Sequence, residues 1–313
     1  MILTVTLNPA VDITYTVERL ARRSAVRVDQ VHAQAGGKGV NVARALVCLG
    51  SRPRVTGLVG GPRGELIRKG LAELGVDDRM VAISGESRQT ILVSDAAGET
   101  LELDEPGPAV DPREWGHFER SYPSMLEGIS VVVLSGSLPP GVPTDAYFRL
   151  AGTAKRAGCR VVLDSAGPSL LAGMAAQPDV VTPNRAELFD AMGTTHQSGV
   201  RAAVAAAQAL RSLGAGVVVV SLGPAGAVAV TGEGVWRARH PTLRGNPTGA
   251  GDVLAAALAE AMEASTPWPE AVRAATACAA TSVTEPYAGA VDRARAADLS
   301  SSVRVTRMRT VLR

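Results

Sequence analysis

Apolar runs recur along the chain at intervals that suit an alternation of strands and helices. Five short runs are almost continuously apolar and rich in β-branched residues, which is typical of strands buried on both faces of a parallel sheet. These predicted strands are Ile2 to Leu7, Val131 to Leu134, Arg160 to Leu163, Val180 to Thr182 and Val217 to Ser221. Helical spacing of apolar residues predicts helices at Val40 to Leu49, Leu66 to Leu74, Pro143 to Ala157, Val200 to Leu213 and Ala250 to Ala264. The alternation predicts an α/β fold, a doubly wound and mainly parallel sheet with helices on both faces.

Two segments break this rhythm, from about residue 11 to 35 and from about 88 to 105. In them apolar and polar residues alternate, which indicates half-buried antiparallel strands. Ile91 to Asp95 and Glu99 to Leu103, joined by Ala96-Ala97-Gly98, predict a hairpin. The segments predict either a small sheet standing off the main one or ordinary edge strands. No repeat or low-complexity linker divides the chain, so residues 1–313 are predicted to form one domain.

Charge and composition exclude several classes of function. The 32 basic and 30 acidic residues give a net charge of +2, so no strong field would attract nucleic acid or an anionic membrane. Cys48, Cys159 and Cys278 form no zinc-binding pattern and suit a reducing compartment. The N-terminus does not resemble a signal peptide, and no apolar run approaches the roughly 18 residues of a membrane span. We therefore expect a cytoplasmic protein with small-molecule partners.

The strongest local motif is Gly245-Asn-Pro-Thr-Gly-Ala-Gly-Asp252, which runs directly into an apolar helix. Glycines let backbone N–H groups converge, and the helix directs the positive end of its dipole at the same point, so the turn suits an anion. Asp252 could accept a proton from a hydroxyl while the amides of Gly249, Ala250 and Gly251 stabilise a transferring phosphoryl group. The alternative is that Asp252 only caps the helix.

A second glycine loop, Gly36-Gly-Lys-Gly-Val-Asn41, also precedes an apolar helix. The chain has lysine only at positions 38, 69 and 155, so a lysine inside this loop is notable. Lys38 and Asn41 among small residues suit a hydroxylated or phosphorylated ligand. The loop lacks the GxxxxGK[ST] spacing of a Walker A motif. Gly60-Gly-Pro-Arg-Gly64 does not match a dinucleotide fingerprint, and a plain turn is expected there.

Three further segments follow predicted strands, at the edge where open α/β sheets bind ligands. Ser135-Gly-Ser-Leu-Pro-Pro-Gly141 lacks the GxSxG elbow of a hydrolase. Asn184 and Glu187 could orient a magnesium-bound water or a phosphate, or they could form a helix cap with its capping-box acid. Ser221-Leu-Gly-Pro-Ala-Gly226 is interpreted as a strand-to-strand turn near a nucleotide. The histidines at positions 32, 117, 196 and 240 share no spacing and receive no role.

Together these motifs resemble the ribokinase-like, or PfkB, carbohydrate kinases. The similarity is to the branch that contains 1-phosphofructokinase, tagatose-6-phosphate kinase and the minor 6-phosphofructokinase, and it spans nearly the whole chain. The motifs that carry it, in order, are Thr6-Leu-Asn-Pro-Ala-Val-Asp12, Gly36-Gly-Lys-Gly-Val-Asn-Val-Ala43, Leu134-Ser-Gly-Ser-Leu-Pro-Pro-Gly141, Pro183-Asn-Arg-Ala-Glu187, Ser221-Leu-Gly223 and Gly249-Ala-Gly-Asp252.

The resemblance implies a doubly wound α/β domain with a small β lid over the sugar site, and often a homodimer through that lid. It implies ATP and Mg²⁺ as cofactors. Asp252 is implied as the general base, with Gly249, Ala250 and Gly251 as the anion hole. The residues implied for the sugar and its phosphate are Asp12, Gly37, Lys38, Asn41, Arg88, Ser137 and Arg27. Those implied for Mg–ATP are Asn184, Glu187, Ser221, Gly223, Gly226 and Thr248, with Glu187 holding Mg²⁺ through water.

The implied reaction is transfer of the ATP γ-phosphoryl group to a primary hydroxyl of a ketohexose phosphate, with fructose 1-phosphate as first choice. Tagatose 6-phosphate and fructose 6-phosphate are the alternatives, and a non-catalytic sugar or nucleotide sensor on the same fold is a remote one. Three positions depart from the pattern of the family. Thr182 stands where relatives commonly have lysine, Val253 where serine is usual, and Asn246-Pro-Thr248 looks more like tagatose-6-phosphate kinases.

Overall fold

The computed structural model describes residues 1–21, 25–95, 97, 99–195, 197 and 199–308, and the structural statements below concern these residues. The strands are β1 (Ile2–Thr6), β2 (Ala10–Val17), β3 (Gln30–Gly36), β4 (Arg54–Val59), β5 (Asp77–Asp78), β6 (Val81–Ala82), β7 (Arg88–Asp95), β8 (Thr100–Asp104), β9 (Val131–Ser135), β10 (Arg160–Asp164), β11 (Val180–Val181), β12 (Val217–Ser221), β13 (Ala227–Val230), β14 (Val235–Arg239) and β15 (Arg304–Met308). The helices are α1 (Lys38–Leu49), α2 (Gly61–Leu74), α3 (Pro112–Met125), α4 (Ala146–Arg156), α5 (Gly167–Met174), α6 (Arg185–Ala191), α7 (Val200–Ser212), α8 (Ala250–Glu263), α9 (Trp268–Ser282) and α10 (Arg293–Ser302).

A mixed, mostly parallel sheet of 11 strands runs through the middle of the molecule. Its path is β15-β14-β13-β12-β11-β10-β9-β1-β4-β5, and β6 pairs with β4. Pairing is parallel from β12 to β5, whereas β13, β14 and β15 form an antiparallel edge. After β1 the chain continues to β4 on one side, and the later strands β9 to β12 build outward on the other. The carboxyl ends of β1 and β9 therefore border the point where open α/β sheets leave a crevice for ligands.

The alternation of side chains along β9 shows that both faces of this sheet are buried. Val131 and Val133 pack with side chains of α1 and α8, whereas Val132 and Leu134 pack with side chains of α3 and α4. Successive strand residues point to opposite faces, so continuous apolar runs require helices on both sides. The predicted fold class is confirmed.

The two segments that broke the rhythm form a separate sheet of 4 strands, in the order β3-β2-β7-β8. β7 and β8 are antiparallel, with Thr90 opposite Asp104 and Ser94 opposite Thr100, while Ala96 and Gly98 of the predicted connection lie outside the described residues. One face of the sheet is polar and borders the main cavity; it carries Asp12, Thr14, Thr90, Glu102 and Asp104. The opposite face carries Tyr15, Ile91, Leu101 and Leu103.

The five strands predicted for the main sheet differ from the observed ones by at most one residue at either end, whereas β7 begins three residues before the predicted Ile91 and some helices also begin elsewhere than predicted. Helix α2 begins at Gly61, so the plain turn expected at Gly60–Gly64 is wrong. Pro62 lies in the first turn, where proline needs no hydrogen-bond donor and its fixed φ suits a helix, which explains the early start. No described helix has the length and apolar character needed to cross a bilayer.

Candidate active site

A cavity of about 2310 Å³ lies between the carboxyl edge of the main sheet and the polar face of the small sheet. Segments that follow β1, β9, β11 and β12 contribute to its wall, as do the starts of α1, α6 and α8. Of the residues predicted for a site, it brings together Asp12, Gly37, Lys38, Asn41, Arg88, Ser137, Asn184, Glu187, Ser221, Gly223, Gly226, Thr248, Gly249, Ala250, Gly251 and Asp252. Arg27 is exposed and does not line the cavity.

Asp252 is the third residue of α8 and is only 5% exposed. Its Oδ2 accepts a hydrogen bond of 3.0 Å from Nδ2 of Asn41, a residue of α1. Among the described residues, its carboxylate accepts no hydrogen bond from the N–H groups of its own helix, so the capping alternative is not what the structure shows. The N-cap residue of α8 is Gly249, whose backbone is left-handed with φ of 80°.

The electrostatic surroundings make Asp252 a stronger base than an exposed carboxylate. Burial, followed by the negative charge of Asp164, raises the pKa of Asp252 to about 8, while Lys38 and the Asn41 hydrogen bond oppose that rise. A carboxylate with a pKa near the working pH suits general-base catalysis, because it both ionises and holds a proton. Asp252 therefore combines burial with a cavity position, as a proton acceptor requires.

Gly249 and Gly251 of this turn differ in what prevents a side chain at each position. A Cβ on Gly249 would lie 2.8 Å from Cα of Ala288, and its positive φ also disfavours a side chain, so the protein itself requires glycine there. Gly251 has ordinary helical geometry, and apart from its own helical turn no atom of the described residues lies within 4 Å of the place its Cβ would take. Glycine within a helix costs about 1 kcal/mol relative to alanine. Since Gly251 lines the cavity, the free space beside it is open to a ligand that approaches the backbone.

The glycine segment that joins the end of β3 to the start of α1 is packed tightly by its own protein neighbours. A Cβ on Gly36 would lie 2.0 Å from Cγ of Asp12, and one on Gly39 would lie 2.0 Å from Oγ1 of Thr6. The loop thus holds the Asp12 carboxylate against the backbone, where the N–H of Gly37 donates to it. Burial raises the pKa of Asp12 to about 6, and the positive charges of Arg44 and Arg88 oppose this rise.

Lys38 lies between two carboxylates at the floor of the cavity. Its Nζ is 3.4 Å from Oε1 of Glu187 and 3.6 Å from Oδ2 of Asp164. The Asp164 charge raises the pKa of Lys38 above its ordinary value, against the opposing effect of burial. Lys38 is therefore a permanent cation whose charge is shared with two acidic groups.

Asp164 is a residue that sequence reasoning missed. It ends β10 and accepts hydrogen bonds from Oγ of Ser135 at 2.8 Å and from Oγ1 of Thr182 at 3.1 Å. The three side chains come from the ends of adjacent parallel strands, so a carboxylate at a strand end was the signal available. The hydroxyl of Thr182, at one of the positions that departs from the family, is thus a donor to a buried carboxylate.

Asn184 and Glu187 form the capping box that was one of the two interpretations of their spacing. Oδ1 of Asn184 accepts from the N–H of Glu187 at 2.9 Å, and Oε2 of Glu187 accepts from the N–H of Asn184 at 2.8 Å. The second oxygen, Oε1, remains on the cavity side beside Lys38. No cluster of three or more His, Cys, Asp or Glu side chains able to hold a metal occurs in the described part of the chain. The carboxylate of Glu187, which lines the cavity, nevertheless suits Mg²⁺, which is usually held by one or two carboxylates, water and substrate phosphates.

Arg88 and Ser137 meet through Asn8, which sequence reasoning quoted within a motif but did not assign. Nδ2 of Asn8 donates to Oγ of Ser137 at 3.1 Å, and the Asn8 carbonyl accepts from Nε of Arg88 at 3.2 Å. Nη1 of Arg88 contacts Asp104 at 3.3 Å and the carbonyl of Glu105 at 3.2 Å. These contacts fix the guanidinium at the cavity wall while Nη2 enters no hydrogen bond within the described residues.

The far wall of the cavity comes from the turns after β11, β12 and β14. A backbone bridge joins Asn184 to Ser221, and the predicted strand-to-strand turn at Gly223–Gly226 is present between β12 and β13. The N–H of Thr248 donates to Oδ1 of Asn246 at 3.0 Å. Arg185 also lines this cavity, and its buried Nε has no hydrogen-bond partner in the described structure. An unpaired guanidinium beside glycine turns is a site for an anion.

Comparison with known proteins decides between the classes of enzyme that this cavity could serve. Residues 5–294 match the model of the pfkB family carbohydrate kinases. The chain belongs to this family. It is an ATP-dependent carbohydrate kinase, and that expectation from the sequence is confirmed.

Similar proteins extend along most of the chain. The chain is 38% identical over 279 residues to 1-phosphofructokinase of Rhodobacter capsulatus, and the matched region covers 88% of each chain. The crystal structure of phosphofructokinase-2 from Escherichia coli in complex with fructose-6-phosphate superposes with a TM-score of 0.86 at 30% identity, covering 96% of this chain and 98% of that one. A possible 1-phosphofructokinase from Thermotoga maritima gives a TM-score of 0.88 at 27% identity, covering 98% and 99%.

The space beside Gly251 leads to a testable prediction. Gly251→Ala should raise the free energy of unfolding by up to about 1 kcal/mol, because alanine is the better helix former and meets no protein atom. Turnover should fall at least about tenfold, since a displaced phosphoryl group loses contact with donors that are each worth roughly a hundredfold. Thermal unfolding and steady-state kinetics measure both effects.

Gly249→Ala is the matched control and should behave in the opposite way in the stability measurement. Its Cβ would lie 2.8 Å from the backbone of Ala288, so the variant should be destabilised. A Gly251→Ala enzyme with unchanged turnover would show that no ligand approaches this part of the backbone.

Proposed function

We propose that this kinase transfers the γ-phosphoryl group of ATP to a primary hydroxyl of fructose 1-phosphate. The observation that carries the proposal is the meeting of two sets of groups in one cavity: Asp252 at the start of α8, and Arg88 with Ser137 beside the small sheet. The first set suits a reacting hydroxyl and phosphoryl group. The second suits a phosphate that the sugar already carries, because the planar fork of arginine binds phosphate oxygens. The name of the relative from Rhodobacter capsulatus supports the same substrate.

In this mechanism Asp252 accepts the proton of the attacking hydroxyl. The hydroxyl oxygen forms a bond to the γ-phosphorus as the bond from that phosphorus to the bridging oxygen breaks, and ADP leaves with the electron pair. The backbone N–H groups of Gly249 and Gly251, with the dipole of α8, stabilise the negative charge on the transferring group. The N–H of Ala250 donates to the Pro247 carbonyl at 3.1 Å, so Ala250 would contribute only by sharing that hydrogen bond. Asp12, Gly37, Lys38 and Asn41 hold the sugar.

The nucleotide is assigned to the wall formed by Asn184, Glu187, Ser221, Gly223, Gly226 and Thr248. Glu187 is proposed to hold Mg²⁺ through water, and the metal would neutralise charge on the nucleotide oxygens. Arg185 is the cation proposed to meet the polyphosphate. The small sheet is proposed as a lid that excludes water with its polar face, and residues 1–313 as one kinase domain.

The other ketohexose phosphates remain the second candidates for a specific reason. The segment Asn246-Pro-Thr248, which flanks the anion-binding turn, is the part of the chain that looks more like tagatose-6-phosphate kinases, and the Escherichia coli relative was crystallised with fructose-6-phosphate. A purely sensory role is disfavoured because Asp252 is buried, cavity-facing and bonded to Asn41.

The face of the small sheet that points away from the cavity supports a proposed homodimer. Leu101 and Leu103 are 49% and 52% exposed, beside Tyr15 and Ile91 on the same face. Exposed apolar side chains on neighbouring strands favour burial against a second apolar surface. A second copy of this chain presents such a surface, so we propose association through the two lids.

The role of Asp252 predicts both a rate and a pH profile. Asp252→Asn should lower turnover at least about a hundredfold, the lower end for a positioned base. Because the pKa of Asp252 is raised and only the ionised form accepts a proton, kcat/KM of the native enzyme should fall as pH decreases, at a pH well above the ordinary carboxylate value near 4. The residual activity of Asp252→Asn is the control, since it reports the titration of all groups other than Asp252, including Asp12 and the sugar phosphate. Normal turnover in that variant would reject the base.

The substrate assignment is tested by ADP release with a panel of sugars. Fructose 1-phosphate should give the highest kcat/KM, ahead of fructose 6-phosphate, tagatose 6-phosphate and free fructose.

Arg88→Lys should lower kcat/KM for the preferred phosphosugar by roughly tenfold or more, about the value of a hydrogen bond to a charged group, and change it little for free fructose. Arg63→Lys is the matched control, because Arg63 binds Glu105 nearby without lining the cavity. Equal effects of Arg88→Lys on both sugars would place the phosphate elsewhere.

The dimer is tested by Leu103→Glu and a matched surface variant. A charge in the apolar face should shift the protein toward monomer in sedimentation equilibrium. Leu213→Glu is the control, because Leu213 is also 52% exposed but lies after α7, away from the small sheet. If Leu103→Glu leaves the mass of the native assembly unchanged, association does not use this face.

A further inference from the structure

Arg44 is a buried cation close to the catalytic region that has no assigned role. It lies on α1, is 8% exposed and does not line the cavity. Nη1 donates to Oδ1 of Asn41 at 2.8 Å and to the carbonyl of Ala288 at 3.0 Å, and Nη2 donates to the carbonyl of Ala35. An arginine is rarely this buried unless its donors are paired, and here three acceptors from separate segments pair with it.

The guanidinium decides which way the amide of Asn41 faces. Arginine has only donors, so the atom of Asn41 that meets it must be the oxygen. The amide nitrogen of Asn41 then points the other way, where it donates to Oδ2 of Asp252 at 3.0 Å. Asn41 and Arg44 are three residues apart on one helix, which puts both side chains on the same face.

The other two acceptors connect Arg44 to the loops that bracket the reacting groups. Ala35 directly precedes Gly36, whose backbone packs against the Asp12 carboxylate. Ala288 belongs to the loop that packs against Gly249, the residue that closes the start of α8. The Arg44 side chain therefore contacts a residue next to the glycine loop that holds Asp12 and a residue packed against the turn before α8. Through Asn41 it is also connected to the Asp252 carboxylate.

We propose that Arg44 is a positioning residue for catalysis: it fixes the amide of Asn41 so that its N–H group holds the Asp252 carboxylate in the ionised, proton-accepting arrangement. The proposal rests on the proposed function of Asp252 as general base. Arg44 touches neither the cavity nor the reacting groups, so it acts through Asn41.

The charged groups near Arg44 and Asp252 determine in which direction the loss of Arg44 should shift the pKa of Asp252. Asp12, Asp252 and Cys48 interact electrostatically with the Arg44 guanidinium. Asp164, Lys38 and Asp12 interact electrostatically with Asp252, to which Asn41 donates a hydrogen bond. Without Arg44 the Asn41 amide can turn its oxygen toward the Asp252 carboxylate, which removes a donor from the ionised form. The pKa of Asp252 should then rise further, and the acidic limb of the kcat/KM profile should move to higher pH.

The test is a double-mutant cycle with Arg44→Lys and Asn41→Leu. Lysine keeps the charge but cannot reach three acceptors, so Arg44→Lys should lower kcat by roughly tenfold, the size of one hydrogen bond to a charged group, with KM for ATP changed less than about threefold. The acidic limb should move to higher pH in each single variant. In the Asn41→Leu background, Arg44→Lys should cause no further loss of kcat, because the group through which it acts is gone.

Arg54→Lys separates positioning from a general loss of packing. Arg54 also makes three hydrogen bonds, to the carbonyls of Met125 and Glu127 and to the carboxylate of Asp77, and it lies at the amino end of β4, away from the cavity. It should lower the melting temperature comparably while leaving kcat and the pH limb as in the native enzyme. If Arg44→Lys resembles Arg54→Lys in all these measurements, Arg44 is only structural.

Two outcomes overturn the proposal even if one variant does not fold. Additive losses of kcat in the double variant would show that Arg44 does not act through Asn41. An Asn41→Leu enzyme with native kcat and native pH limb would do the same without any Arg44 variant. Failure of the base assignment is recognised separately, by normal turnover of Asp252→Asn.

Discussion

Holding three carboxylates around one cavity is the constraint on which the arrangement of this enzyme depends. Asp164 and Asp252 are buried and Asp12 is half-buried, and an uncompensated buried charge is costly. Lys38 compensates Asp164, and Arg44 interacts electrostatically with both Asp12 and Asp252 without lining the cavity. The side chains that balance these charges come from α1 and from β7 of the small sheet, far from the carboxylates in sequence, so the charge balance can exist only in the folded chain.

Much of the fold and of the site was readable from local patterns. Continuous apolar strands predicted a sheet covered on both faces, and the glycine turn before α8 predicted an anion-binding helix start. The sheet and the start of α8 are confirmed, and the reason is common to both: a buried parallel strand and a helix start constrain adjacent residues, so the signal stays within a few positions. The anion-binding role of the turn stays a prediction.

The residues that the sequence analysis missed owe their roles to contacts with distant parts of the chain. Asp164 ends an apolar strand and carries no motif, and its importance comes from Lys38 and Ser135 beside it. Arg44 occupies a helix position that its own sequence neighbours do not distinguish from a solvent-facing one. The start of α2 at Gly61 was missed for another reason, because Gly-Gly-Pro suits both a turn and a first helical turn.

The two faces of the small sheet have a consequence for how such a protein can vary over generations. Leu103 and Asp104 are neighbours on β8, yet one side chain points outward and the other toward the cavity. Inserting or deleting one residue in that strand would exchange the two faces along its remaining length. Single substitutions can therefore change either face independently during evolution, whereas a change of length in β8 would alter both faces at once.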